Sequence, residues 1–160
     1  MSESQSQFND LMSKIAAKAA GKPIDKSLEA ELNREFAPGG ETFEAIRQAS
    51  EAGVDEGWLV PNENGPVLFG RPIKPSTEMH GFSVDAVKYR DLAGPFHGHP
   101  NGEICAVFPT DGEAKFDGTG AGWCVYEAGS KHYPTITDGE AIVLYLLPDG
   151  AIDFKAKPDA

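Results

Sequence analysis

The first third of the chain carries apolar residues at the three- and four-residue spacing of amphipathic helices. The first stripe ends before a glycine and consists of Phe8, Leu11, Met12, Ile15, Ala16 and Ala19. A second helix is predicted after a cap at Ser27, and a third from about Glu41 to Gly53. The three stripes predict a helical segment over residues 1–55 that packs on the rest of the protein or on a second subunit.

From Trp58 onward the apolar residues come in short runs or alternate with polar ones, which is the pattern of β-strands. Alternation is clearest in FSVDAVKYRDL, and further apolar runs occur in EICAVFP, GWCVYEAG and EAIVLYLLPDGAIDF. Many short strands with no helix between them are typical of an antiparallel barrel or sandwich. The sequence therefore predicts a mainly β protein, with a barrel over residues 56–160 after the helical segment.

Composition narrows the range of partners and locations. Fourteen Lys and Arg residues against 25 Asp and Glu residues give a formal net charge of −11, which would repel a phosphate backbone, so we expect no nucleic acid partner. The chain has no signal peptide pattern and no apolar run of about 18 residues, so we expect no membrane insertion and a cytoplasmic location. Cys105 and Cys124 lie in apolar runs and are expected to be buried, reduced thiols.

The segment GPFHGHPNGEICAVFP, residues 94–109, concentrates possible metal ligands. His97 and His99 point the same way if this segment is extended, and Glu103 can return to the same centre after a Pro-Asn-Gly turn. His132 is the remaining histidine of the C-terminal half and could complete the set from another strand. Three imidazoles and a carboxylate suit one divalent transition metal such as Fe, Mn, Ni or Zn. Without a metal, the same residues could form a hydrogen-bonded or substrate-binding cluster.

These segments resemble the two characteristic motifs of cupins, G-x5-H-x-H-x3,4-E-x6-G and G-x5-P-x-G-x2-H-x3-N. The chain has H-x-H-x3-E from position 97 and then G-x2-H ending at His132, in the same order. The glycine spacing of the first motif differs, and Glu127 and Ile136 replace the proline and asparagine of the second. Over residues 57–155 the resemblance implies a cupin-type jelly-roll barrel that holds a metal through the four ligands.

Nearly the whole chain is similar to the 4-hydroxylaminobenzoate lyase family, through its helical start and the segments HGHPNGEICAVFPTDG and GAGWCVYEAGSKHYPTITDGEAIVLYLLPDGAIDF. This resemblance implies conversion of 4-hydroxylaminobenzoate to 3,4-dihydroxybenzoate (protocatechuate) and ammonia in nitroaromatic degradation. A cupin dioxygenase or another metal-dependent cupin enzyme acting on a small aromatic acid is one alternative, and a non-catalytic cupin that binds a small molecule is another. A helical arm packed on a partner barrel would make a homodimer or a larger homo-oligomer.

Three residues are candidates for catalysis on a small aromatic acid. Glu103 could act as a base as well as a ligand. His80 lies outside the motifs and is expected to be a loop or pocket residue rather than a fifth ligand, with a role in proton transfer left open. Tyr133, next to His132, is the aromatic residue best placed to touch a ring.

Candidates for substrate binding are Trp123, Arg71 and Arg90. An arginine can grip a carboxylate with two parallel hydrogen bonds, so Arg71 or Arg90 is expected to hold the carboxylate of the aromatic acid. Each arginine could instead be a solvated surface charge. Trp123, Tyr126, Tyr133 and Tyr145 could form an aromatic pocket or simply fill the barrel core.

Overall fold

The computed structural model describes residues 1–159. Three helices come first, α1 (Glu3–Ala19), α2 (Lys26–Glu35) and α3 (Glu41–Glu56). Eight strands follow, β1 (Asn62–Asn64), β2 (Val67–Ile73), β3 (Phe82–Ala93), β4 (His97–His99), β5 (Glu103–Phe116), β6 (Gly122–Tyr126), β7 (Ser130–His132) and β8 (Thr135–Pro148). The prediction of a mainly β protein preceded by helices is confirmed. No helix among residues 1–159 is both long and apolar enough to cross a bilayer.

Two helix ends differ from the prediction. Asp25 caps α2 instead of Ser27, because its Oδ1 accepts hydrogen bonds from the N–H groups of Ser27 and Leu28 at 3.0 and 3.1 Å. Helix α3 continues through Gly53 and ends before Gly57, which has a φ of 86°. Gly53 serves packing rather than termination, since a Cβ atom there would lie 2.8 Å from the Trp58 ring.

The strands form two antiparallel sheets that face each other. The larger has the order β1-β2-β3-β8-β5-β6, and the smaller pairs β4 with β7. Because side chains alternate across a strand, the large sheet has two buried faces. One packs on the helices, through residues that include Val84, Ala86, Ile104, Ala106, Leu144 and Leu146. The other faces the barrel interior, through residues that include Tyr89, Cys105, Cys124, Val143, Tyr145 and Leu147. Both cysteines are buried and free, as predicted.

Helix α2 covers strand β6, which is an edge of the large sheet. The Asn33 side chain accepts a hydrogen bond from Trp123 N and donates one to Trp123 O, both at 2.9 Å. Glu29 accepts a hydrogen bond from Val125 N at 2.9 Å. Edge strands present unpaired backbone groups that attract other chains, and these side chains satisfy them as a neighbouring strand would. The helical segment thus closes the sheet as well as burying its outer face.

Replacing Asn33 with alanine should destabilise the protein by about 1–3 kcal/mol, because both Trp123 backbone groups lose their partner. Urea unfolding followed by circular dichroism measures the change. Asn101→Ala is the matched control, since the exposed Asn101 makes only a long hydrogen bond of 3.4 Å. A free energy of unfolding equal to wild type in Asn33→Ala would show that the covering of β6 does not depend on this side chain.

Candidate metal centre and substrate cavity

The four predicted ligands come from three neighbouring strands. His97 and His99 lie on β4, His132 ends β7 directly opposite His97, and Glu103 begins β5. The chain reverses between β4 and β5 through Gly102, whose φ of 89° is readily adopted only by glycine. The turn brings Glu103 back to the histidines, as the sequence predicts.

The side chains converge on one buried point. One candidate ligand atom from each of the four residues lies within 4.8 Å of all the others. His97 Nε2 and His132 Nε2 are 3.1 Å apart, and His99 Nε2 lies 2.8 Å from Glu103 Oε2. Glu103 has no solvent exposure. Burial lowers the pKa of His97 to about 4, so its imidazole is neutral at pH 7 and has a lone pair to offer.

Outer hydrogen bonds orient the three imidazoles. The Nδ1 atom of His97 lies 3.1 Å from Pro95 O, that of His99 lies 3.0 Å from Ser130 Oγ, and that of His132 lies 2.6 Å from Asp117 Oδ2. A carbonyl and a carboxylate can only accept, so His97 and His132 carry their proton on Nδ1. The Nε2 atoms of both rings then point to the common centre, where each could bind a metal ion.

Unpartnered atoms at the centre also indicate a cation. His99 Nε2 and both carboxylate oxygens of Glu103 are fully buried and make no hydrogen bond within residues 1–159. The 2.8 Å approach of His99 to Glu103 lacks hydrogen-bond geometry. Buried polar atoms without partners are costly, and a metal at the centre would satisfy His99 Nε2 and at least one oxygen of Glu103. The buried set of three histidines and a glutamate therefore suits a divalent transition metal.

Asp117 contacts the candidate ligand His132 from outside the cluster. The sequence analysis did not predict this residue. Burial acts to raise the pKa of Asp117, but hydrogen bonds from His132, Tyr126 and the Thr135 backbone outweigh it and lower the pKa. The residue is thus ionised and holds the His132 ring in place. Its segment, FDGTG, carried only a turn signal in the sequence.

Replacing Asp117 with alanine should weaken metal binding by at least about tenfold, since loss of such an outer partner of a metal-bound histidine typically costs that much. Competition with a chromogenic chelator measures the affinity. Asp111→Ala is the control, because Asp111 is exposed and pairs with Arg90 away from the cluster. Equal affinity in Asp117→Ala and wild type would mean that His132 is oriented without Asp117.

A cavity of about 560 Å³ opens beside the cluster, inside the barrel. Of the four candidate ligands, His97 lines it. Its other lining residues include Phe69, Arg71, Asp85, Tyr89, Pro134, Tyr145 and Phe154. The cavity is mainly apolar and carries a few polar groups, which is typical of a small-molecule site.

The structure separates the two predicted arginines. Arg71 lines the cavity and forms an ion pair with Asp85, with Nε donating to Oδ1 at 2.7 Å and Nη2 to Oδ2 at 3.1 Å. Arg90 is half exposed and pairs with the exposed Asp111 outside the cavity. Arg71 alone is therefore retained as a candidate for carboxylate binding.

Three further candidates, two aromatic residues and one histidine, lie away from the cavity. Trp123 faces the helices on the opposite side of β6, where its Nε1 donates to Phe36 O at 3.0 Å. Tyr133 is 52% exposed and packs on Phe96. His80 is exposed in the turn before β3, with a φ of 52°. None of the three residues lines the cavity, so the proposal below does not assign them a role.

Among solved structures, the chain is similar to the DMSP lyase DddQ from Ruegeria pomeroyi, with a TM-score of 0.48 and 16% identity over 97% of this chain and 99% of that one. It is also similar to an RmlC-like cupin protein from Ralstonia eutropha, with a TM-score of 0.41 and 16% identity over 64% and 71% of the two chains.

Sequence comparison is more specific. A 4-hydroxylaminobenzoate lyase from Pseudomonas putida is 34% identical, over 88% of this chain and 91% of that protein. One from a Nocardioides species (strain LMS-CY) is 32% identical, over 93% and 91%. The sequence model of the 4-hydroxylaminobenzoate lyase family matches residues 10–154. This range contains the four candidate metal ligands and the residues that line the cavity. The chain belongs to the 4-hydroxylaminobenzoate lyase family.

Proposed function

We propose that this protein is a metal-dependent lyase that converts 4-hydroxylaminobenzoate and one water to 3,4-dihydroxybenzoate and ammonia in nitroaromatic degradation. The observation that carries the proposal is the pairing of a buried cluster of three histidines and one glutamate with an adjoining apolar cavity that holds an arginine. Family membership supports a lyase of this kind.

The arrangement of strands fits the length of the substrate. Arg71 on β2 and Glu103 on β5 are separated by two intervening strands, β3 and β8. Neighbouring strands lie about 4.8 Å apart, so the two backbones are about 14 Å apart along the sheet. Their side chains reach inward from both ends of this span. A single benzene ring with para substituents fits between them, with its carboxylate at Arg71 and its hydroxylamino group at the metal cluster.

Arg71 has capacity left for a carboxylate. Its Nε and Nη2 atoms are engaged by Asp85, and Nη2 also donates to Gly150 O at 3.0 Å. Nη1 makes no hydrogen bond to residues 1–159 and can donate to a bound carboxylate. Asp85 fixes the guanidinium in place. Burial raises the pKa of Asp85, and the hydrogen bond from Arg71 opposes that rise.

The reaction balances without an external oxidant. The N–O bond of the hydroxylamine is reduced as the ring gains oxygen, one water is consumed and ammonia leaves. Bound by His97, His99, Glu103 and His132, a divalent metal (Fe, Mn, Ni or Zn) would supply a Lewis acid at the hydroxylamino oxygen. Glu103 has two buried oxygens, so one can serve as ligand while the other accepts a proton from the attacking water. The apolar cavity walls restrict competing water.

We further propose that the protein acts in the cytoplasm as a homodimer or larger homo-oligomer. The N-terminal helical segment motivates the assembly, as a surface that a partner barrel could cover. Two cysteines support the cytoplasmic location. Cys105 and Cys124 are direct neighbours on β5 and β6 and are nevertheless free thiols, as is usual in a reducing compartment. Light scattering on the purified protein measures the assembly, and a mass of one chain, 17.1 kDa, would refute it.

Turnover with and without oxygen tests the proposed reaction against its alternatives. Metal-loaded protein should release ammonia and 3,4-dihydroxybenzoate from 4-hydroxylaminobenzoate in equal amounts, at the same rate under argon and in air. Turnover that stops under argon would favour a cupin dioxygenase. Binding without any product would favour a non-catalytic cupin.

A further inference from the structure

Tyr145 on β8 is one of the residues that line the cavity. In the middle of β8 it lies directly opposite Asp85 on β3 and Cys105 on β5. Glu103 is two residues from Cys105 on the same face of β5, so it is the diagonal neighbour of Tyr145, with backbones about 7–8 Å apart. Tyr145 therefore stands between the Arg71–Asp85 pair and the metal cluster, and its side chain lines the cavity.

The hydroxyl of Tyr145 has no partner in the protein. The residue is 5% exposed and lines the cavity, and its hydroxyl makes no hydrogen bond to residues 1–159 and is not fully buried, so it opens to the cavity. The two other inward tyrosines differ, because Tyr89 donates to Pro134 O and Tyr126 to Asp117, each at 2.5 Å. Because the Tyr145 hydroxyl opens to the cavity and is not engaged by the protein, it is free to hydrogen-bond a polar group of a molecule bound there.

The surroundings make Tyr145 a donor. Burial, together with the nearby Tyr89, Glu103, Cys105 and Asp117, raises its pKa far above that of an ordinary tyrosine. The phenol stays protonated at every physiological pH. It can therefore offer a hydrogen to an electron-rich atom, and it cannot act as a base.

We propose that Tyr145 is a catalytic residue whose hydroxyl donates a hydrogen bond to the oxygen on the para substituent of a bound aromatic acid. The proposal rests on the proposed function, because the carboxylate must lie at Arg71 for the para oxygen to come within reach. As the N–O bond lengthens, negative charge develops on that oxygen. A donor already in position stabilises this charge without reorganisation.

Replacing Tyr145 with phenylalanine removes only the hydroxyl. We expect kcat for 4-hydroxylaminobenzoate to fall by about a hundredfold to a thousandfold, as for loss of one oxyanion-hole donor, with KM changed less than about threefold and metal content unchanged. Tyr133→Phe is the matched control and should keep the wild-type kcat, because Tyr133 is exposed and packs on Phe96 without lining the cavity. A wild-type kcat in Tyr145→Phe would overturn the proposal while leaving the proposed reaction intact.

Binding of two unreactive acids tests the contact without turnover. In 4-(hydroxymethyl)benzoate an oxygen stands where the hydroxylamino oxygen would be, and 4-ethylbenzoate has a methyl group there. Calorimetry should show that Tyr145→Phe weakens binding of the first about tenfold and leaves binding of the second unchanged, as expected for one lost hydrogen bond. Equal losses for both acids, or no loss for either, would overturn the proposal even if the wild-type protein fails to turn over 4-hydroxylaminobenzoate.

Discussion

Replacing His99 with alanine should strip the metal from the purified protein and reduce turnover at least about a thousandfold. His99 contributes a fully buried Nε2 that has no hydrogen-bond partner within residues 1–159. Without it, the remaining two histidines and Glu103 form an incomplete set with a gap on one side. The barrel should stay folded, because most of its core lies in the two apolar layers on either side of the large sheet. Elemental analysis measures the metal, and circular dichroism confirms the fold.

His80→Asn is the matched control for metal content, since His80 is exposed outside the cluster and asparagine tolerates its positive φ. It should retain the wild-type metal content of about one ion per chain. Full metal occupancy in a His99→Ala/His132→Ala double mutant would show that the ion is bound elsewhere.

Replacing Arg71 with alanine should raise KM for 4-hydroxylaminobenzoate about tenfold, with metal content unchanged. Losing a hydrogen bond to a charged group costs about 1.5–3 kcal/mol, and solvent screens part of this loss because the Arg71 side chain is 37% exposed. Here two charges lose their partner, the substrate carboxylate and the Asp85 carboxylate. The variant should also discriminate less against the neutral methyl ester, since the anion no longer gains a partner. Steady-state kinetics on both substrates measure the effect.

Two further variants distinguish carboxylate binding from a general loss of stability. Arg90→Ala should keep the wild-type KM, because Arg90 pairs with Asp111 outside the cavity. Asp85→Asn should keep KM near the wild-type value, because the asparagine oxygen can still accept a hydrogen bond from Arg71 and hold the guanidinium in place. A wild-type KM in Arg71→Ala would mean that other groups, such as cavity-lining amides, hold the carboxylate.

The metal cluster was predictable because its residues are close in sequence and their types are rare. His97, His99 and Glu103 fall within one strand, one turn and the start of the next strand, so local geometry alone brings them together. His132 followed from the cupin-like spacing. The positions of Asp117 and Tyr145 depend on which strands become neighbours, and one sequence does not reveal that pairing.

The fold class could be predicted from the change near Trp58 from helical to strand-like spacing of apolar residues. The direction in which individual side chains face could not. Trp123 lies on a strand whose residues alternate between the helix-side core and the barrel interior. The sequence around Trp123 does not indicate which of the two it faces. Arg71 and Arg90 both lie on strands of the large sheet, but their carboxylate partners differ in position. Arg71 pairs with Asp85 beside the cavity, whereas Arg90 pairs with Asp111 at the surface. Tertiary contacts determine which way each of these side chains faces and which partner it has.

Stepwise reconstitution of metal-free protein tests the central claim most directly. Metal is added in fractions of one equivalent, and the release of ammonia and 3,4-dihydroxybenzoate from 4-hydroxylaminobenzoate is measured under argon after each addition. We predict that both products appear in equal amounts and that the rate rises linearly, reaching its plateau at about one ion per chain. Undiminished turnover by the metal-free protein, or a metal-loaded protein that releases neither product, would contradict a metal-dependent lyase.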